Sequence, residues 1–172
     1  TEEYEEFYKH LSHDFSKPLT HMHYKVEGTT EFTSLLYLPE NQPFNMLAGD
    51  IPKNNIHLYV KRVFITKNDE ALLPQYLRFV SGVVDSSDLP LNVSRESLQE
   101  NRIMMTIKKN LVSKILNTLT DLKNDQFSKY KDFFIQLGSI IKEGVYSDYG
   151  NREKILGLLL FQTSKTEDKQ YI

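Results

Sequence analysis

The stretch from Tyr76 to Asn101, YLRFVSGVVDSSDLPLNVSRESLQEN, changes character halfway along. Residues 76–84 are rich in β-branched and aromatic side chains and nearly apolar on both faces, the pattern of a strand covered on both sides of a sheet. Asp85-Ser86-Ser87-Asp88 then reads as a turn, because short acidic and hydroxyl side chains bond local backbone. Pro90 fixes an extended approach, and Ser94 has the chemistry of an N-cap, with good helix formers behind it. A sheet therefore hands over to helices at this point, and the chain is expected to be α+β.

Upstream, Tyr4, Phe7, Tyr8 and Leu11 recur at helical spacing with acids on the other faces, predicting an amphipathic helix over 2–13 that the Pro18 region stops. Strands are expected at 21–26, 31–38 and 56–65 besides 76–84. Glu27-Gly28-Thr29-Thr30 reads as a hairpin turn between the first two, and the runs 56–65 and 76–84 are expected mid-sheet. The connection over 39–55 is rich in Pro, Asn and Gly yet carries Phe44, Met46 and Leu47, so it either tucks a short helix onto the sheet or offers a sticky surface. We expect the tucked form.

Downstream, one helical stripe runs through Ile103, Ile107, Leu111, Ile115, Leu119 and Leu122. A second runs through Phe127, Tyr130, Phe134, Leu137 and Ile141, and a third through Ile155, Leu158, Leu159 and Phe161. Three helices joined by polar links at 123–126 and 144–151 form a coil of helices. The expected division is a sheet domain over 1–102 and a helical extension over 103–172. The absence of an initiator Met and the abrupt polar end SKTEDKQYI suggest a piece of something longer.

Composition narrows the function. With 40% hydrophobic and 26% charged residues the chain is an ordinary globular protein, and its formal charge of −2 gives no basic surface for nucleic acid or a polybasic membrane patch. No cysteine is present, so disulfides, thiolate metal sites and cysteine nucleophiles are excluded. No run approaches the roughly 20 apolar residues of a membrane span. Neither G-x-x-x-x-G-K-[ST] nor G-x-G-x-x-G occurs, so no familiar nucleotide cradle is expected within this chain. His10, His13, His21 and His23 are close in sequence, but no third metal ligand follows from their spacing, and no metal site is expected. Ser86, Ser87, Ser94 and Ser97 lack an identifiable base, and the lysines of TIKKNLVSK read as a solvated helix face.

Arg95 is harder to explain. Following an N-cap, it would stand at the positive end of a helix dipole, an unfavourable place unless an anion lies in front of it. Gln99, one turn on, would share its face. The anion is either internal, with Arg95 paired to Asp85, Asp88 or Glu96, or belongs to something outside the chain. Spacing alone leaves both open.

LRFVSGVVDSSDLPLNVSRESLQEN closely resembles the signature of the middle domain of the heat-shock protein 90 chaperones. EEFYKHLSHDF, KVEG, EFTSLLYLP, LYVKRVFI and LPQYLRFV follow in that family's order, with a texture nearest its bacterial members. The resemblance covers essentially the whole chain. It implies an αβα layer of the ribosomal protein S5 domain 2-like type followed by a coil of three helices, with a smaller αβα unit beyond Ile172. It also implies a chaperone that is a homodimer through an absent C-terminal domain and binds ATP, with Mg2+, in an absent N-terminal domain.

In such a protein the segment 85–99 is the catalytic loop. Arg95 reaches the γ-phosphate of ATP held next door, Gln99 helps the loop engage the nucleotide, and Asn92 supports the loop. The fragment alone is then not an enzyme and binds no nucleotide. Phe15 stands where the family has a client-linked aromatic, and Phe44, Met46 and Leu47 where it has a mobile amphipathic loop, so these four are the implied client contacts. A bacterial-type cytoplasmic location, or an organelle, follows from the same resemblance. Two other readings remain at this point: a transducer domain of the topoisomerase or mismatch-repair type, which uses a lysine, and a pure interaction module.

Overall fold

Tyr8 and Leu11 bury themselves against Tyr37, with Tyr4, Leu35 and Val83 packed around them, and this apolar contact seats the first helix, α1 (Glu2–Ser12), on a sheet. Glu2, Glu3 and Glu5 occupy the first turn of α1 and complement its dipole. The computed structural model describes residues 2–43, 55–67, 71–89 and 102–162. Expectations for Phe44, Met46, Leu47, Asn92, Ser94, Arg95 and Gln99 fall outside the described residues. The helix ends earlier than the Pro18 region, at Ser12, because Ser12 Oγ returns to the Tyr8 carbonyl (2.7 Å) and His13 adopts a left-handed conformation (φ 56°).

Among the described residues the strands are β1 (Pro18–Val26), β2 (Phe32–Pro39), β3 (Asn55–Val60), β4 (Val63–Lys67) and β5 (Ser81–Ser86), in the spatial order β1-β2-β5-β3-β4. Among these strands β3 and β5 pair in parallel, and the other neighbours are antiparallel. The turn expected after Val26 joins β1 to β2, with Gly28 at φ 135°, a conformation that other residues rarely adopt. One face of the sheet carries Met22, Leu36, Val84, Ile56 and Leu58, all buried. The other carries Tyr37, Leu35, Val83, Tyr59 and Asp85, and α1 lies over part of it.

Two strand expectations need correction. The run 56–65 is not one mid-sheet strand: it folds back at Lys61-Arg62, so only β3 is interior, while β4 lies at the sheet edge with Val63 and Phe64 each 51% exposed. Two adjacent cations in an apolar run mark a place where the chain must reach water. The run 76–84 is a strand only from Ser81; Gln75–Leu77 form a single 3-10 turn whose Tyr76 and Leu77 are buried. Pro74 sets that turn up, and burial of the adjacent Tyr76 and Leu77 gives the same apolar run as an interior strand. At Gly82 the β5 backbone approaches β2 so closely that a Cβ would overlap the Leu35 carbonyl oxygen.

The expected helices follow as α2 (Arg102–Asp125), α3 (Phe127–Ser147) and α4 (Arg152–Leu158). The third is shorter than its stripe, since Phe161 lies beyond it and is 53% exposed. The chain divides into two compact units, Thr1–Val112 and Ser113–Ile172. In the second, Tyr130, Phe133, Phe134, Leu137 and Ile141 of α3 are buried together with Ile155 and Leu158 of α4. Among the described residues no helix is long and apolar enough to cross a membrane.

Candidate functional site

The end of β5 is where three parts of the sheet are tied together. Ser86 is fully buried; its hydroxyl donates to the Glu31 carbonyl at 3.0 Å and accepts from the Asp88 amide at 3.3 Å. Asp88 Oδ2 accepts from the Glu31 amide at 2.6 Å. A backbone N–H donating to a carboxylate is among the stronger hydrogen bonds a protein makes. Leu89, buried at 1% exposure, anchors the chain immediately afterwards.

On the other side of β5, Asp85 Oδ1 accepts from the Arg62 amide (3.2 Å), and the Ser86 carbonyl accepts from the Lys61 amide (3.1 Å). Lys61 and Arg62 form the two-residue β3–β4 turn with φ of 51° and 66°, the sign pattern of a type I′ hairpin usually given to Asn and Gly. Each such residue costs about 1 kcal/mol or more in backbone strain. Bonds from β5 hold this turn in place and present both side chains outward. The turn expected over Asp85–Asp88 needs correction: Asp85 lies within β5, and the carboxylates of Asp85 and Asp88 accept from the backbone of Arg62 and Glu31, distant in sequence, because the strand order brings those amides to them.

Two open grooves adjoin this corner. One, of about 420 Å³, is lined by Lys25, Glu31, Thr33, Lys61, Arg62 and Asp85 among others. The other, of about 600 Å³, lies beside α1 and is lined by Phe7, Leu35, Tyr59, Val83 and Arg62 among others. Lys25 donates to Glu27 at 2.6 Å, and that hydrogen bond holds the Lys25 ammonium above its ordinary range and the Glu27 carboxyl below its own.

Phe15 is held at a second place, after α1. The Asp14 carboxylate accepts from the Tyr8 phenol (3.1 Å) and from the Ser16 amide (2.9 Å), and the Asp14 amide donates to Ser12 Oγ (3.1 Å). The residues on both sides of Phe15 are fixed in this way, and its ring stands 91% exposed. A core role for Phe15 is therefore excluded. The histidines near α1 have partners of their own: Tyr4 stacks on His21 with ring centroids 4.3 Å apart, and its hydroxyl lies 2.8 Å from His23 Nδ1. Among the described residues no group of three or more His, Asp or Glu side chains is arranged to hold a metal ion.

Sequence reasoning did not anticipate the part played by Glu31, which contributes only backbone atoms. Nor did it anticipate Arg62, whose one visible signal was a cation pair interrupting an apolar run. Comparison with known proteins supplies the wider setting: the family model described as Hsp90 protein matches residues 1–172. The chain belongs to the Hsp90 family. The transducer-domain reading is set aside by that match.

Within this Hsp90 chain, similarity to curated relatives is high. It is 55% identical over 171 residues to "Chaperone protein HtpG" of Geobacter sulfurreducens, covering 99% of this chain and 26% of that one. It is 52% identical over 169 residues to the protein of the same name from Francisella tularensis subsp. novicida, covering 98% and 27%. The chain thus spans about a quarter of the length of these relatives. A solved middle domain of a Plasmodium falciparum heat shock protein superposes with a TM-score of 0.83 at 31% identity, covering all of this chain and 65% of that one. The fold of this Hsp90 segment is that of a middle domain.

Proposed function

We propose that this chain is the working middle segment of an ATP-dependent chaperone, and that it completes an ATPase whose nucleotide is held by an N-terminal domain of the same protein. Arg95 is the group that meets the γ-phosphate, Gln99 helps the loop engage the nucleotide, and Asn92 supports the loop. The observation that carries this reading is the Hsp90 match over residues 1–172 together with Asn-Val-Ser-Arg-Glu at positions 92–96. Arg95 answers the anion question raised by the sequence: its partner is a triphosphate on another domain. A guanidinium stays charged at any physiological pH and offers forked donors to phosphate oxygens. Placed against a γ-phosphate in a site closed to water, it stabilises the charge that develops on phosphoryl transfer and also favours the docked arrangement of the two domains. When bound, ATP with Mg2+ supplies the phosphoanhydride and a counter-charge; this chain supplies the arginine.

Phe15 is offered as a client contact, with Phe44, Met46 and Leu47. A phenylalanine left almost wholly in water forgoes about 2 kcal/mol of burial energy. Holding it there on a hydrogen-bonded turn suits a surface that receives apolar segments. Homodimerisation belongs to a C-terminal domain, and location in a bacterial cytoplasm accords with the curated relatives' source. In the full-length protein, Arg95→Ala should lower ATP turnover by about a thousandfold or more, the scale of an arginine finger, with nucleotide affinity of the N-terminal domain retained. Turnover at the wild-type level would overturn the assignment.

A further inference from the structure

The outer edge of the sheet offers a place for a partner's backbone. We infer that β1 receives an extended segment of a client polypeptide as an added strand, starting beside Phe15. This rests on the client-binding reading of Phe15 given above and names how the client is held.

Among the described residues β1 ends the sheet and no strand pairs with its outer side, so alternate residues turn an N–H and a C=O away from β2. Edge strands are ordinarily kept short or irregular, because a free row of backbone groups invites pairing. The opposite edge obeys this rule: β4 has five residues and an irregular register against β3. By contrast β1 has nine residues, the most of any strand described, and it pairs with β2 without interruption from Thr20 to Val26. A lysine on an edge ordinarily deters pairing, but the one lysine of β1, Lys25, is engaged by Glu27 at 2.6 Å.

The two faces of β1 set which strand fits. Thr20, Met22, Tyr24 and Val26 share the apolar face of the sheet, with Met22 buried and the others half-buried, whereas His21, His23 and Lys25 are exposed on the opposite face. A strand laid along β1 with apolar side chains at alternate positions extends the first face past Tyr24 and Val26 and leaves its polar side chains beside the second. Main-chain hydrogen bonds supply affinity without demanding one sequence, which suits a chaperone that meets many unfolded chains, and the apolar face supplies the preference. Phe15 precedes β1 by three residues, and the link between them is held to α1 by Lys17, whose ammonium lies 3.0 Å from the Glu5 carboxylate. The exposed ring and the start of the free edge therefore stay together.

The test uses the full-length protein and a short fluorescein-labelled peptide alternating valine and threonine, beside a peptide of the same sequence whose backbone nitrogens are methylated. By fluorescence anisotropy the methylated peptide should bind at least about tenfold more weakly, since it keeps the side chains and loses the donors. Amide hydrogen exchange should slow by roughly tenfold or more at alternate positions of 20–26 when the unmethylated peptide binds, and stay unchanged in β4. Phe15→Ala should weaken binding by about fivefold with β1 still protected. Equal affinity of the two peptides, binding that leaves exchange in β1 as it was, or no binding of the unmethylated peptide overturns the inference. Weaker binding by Phe15→Ala, with β1 unprotected even in wild type, sustains the Phe15 reading and rejects the edge. Unchanged affinity in Phe15→Ala, with β1 protected, rejects the Phe15 reading and leaves the edge standing. Protection of β1 that rises with protein concentration before any peptide is added assigns the edge to a second copy of the chain and rejects the client.

Discussion

The phenol of Tyr130, on α3, donates to the main-chain carbonyl of Leu158 at the end of α4, and both residues are buried. Lys123, at the end of α2, reaches the neighbouring carbonyl of Gly157 at 2.7 Å. The last carbonyls of a helix have no partner within it, and α4, with only seven residues, has little intrinsic stability. Side chains from α2 and α3 therefore hold α4 by its C-terminus. Burial away from water pushes the Tyr130 phenol well above its usual range, so it remains a donor throughout the physiological pH range.

Tyr130→Phe keeps the ring and removes only the donor, leaving the Leu158 carbonyl buried without that bond. A loss of about 1–3 kcal/mol is expected, whereas Lys123→Met, which removes an exposed donor, should cost less than about 1 kcal/mol. Denaturant melts of the two variants side by side check this, and equal losses would contradict it.

Stability should also depend on pH at both ends of the range. His57 sits half-buried on the face beneath α1, its ring edge-on to Phe64, and its pKa is lowered by burial first and by Lys67 and His13 next. The fold therefore favours neutral His57. This contribution is complete above the unfolded value of about 6.5 and is lost as pH falls through that value towards the lower folded one. On the alkaline side, burial pushes Tyr37 up to about 12, so its contribution is present below about pH 10 and is lost as pH rises from there towards 12. Thermal midpoints of wild type should decline between pH 7 and pH 5, and His57→Gln should flatten that decline. An unchanged slope would show that other groups set it.

The elements with a clean period were legible in the sequence. Tyr4, Tyr8 and Leu11 marked α1, and the stripes through Ile107 and Tyr130 marked α2 and α3, because a helix that buries one face must repeat its apolar residues at helical spacing. Tyr76 and Leu77 misled for a physical reason: a 3-10 turn that buries two adjacent side chains and a strand buried on both faces both show consecutive apolar residues. The Lys61-Arg62 turn was hidden because its left-handed residues are neither Asn nor Gly, and what holds them is supplied by Asp85 and Ser86, distant in sequence. Of the site, Asp85 and Asp88 looked like local turn formers, whereas Asp85 lies in β5 and both carboxylates accept from distant backbone, at Arg62 and Glu31, which is a property of strand order. Strand order depends on the whole chain.

Phe15 offers the sharpest separation of function from stability. Its ring is 91% exposed, and the turn that carries it is held by Asp14, Ser12 and Ser16 without any contribution from the ring. Phe15→Ala should therefore leave the unfolding free energy within about 0.5 kcal/mol of wild type. If the ring receives apolar client segments, the same substitution removes a contact of the kind that dominates binding surfaces, and affinity of the full-length chaperone for an unfolded model protein should fall by roughly fivefold to thirtyfold. Asp14→Ala makes the complementary case: the ring is retained, but the acceptor for Tyr8 and Ser16 is lost. That variant should weaken client binding and stability together. Fluorescence anisotropy with a labelled unfolded protein, run beside thermal melts, checks both. Wild-type client affinity in Phe15→Ala would remove Phe15 from the binding surface and leave its exposure without a role.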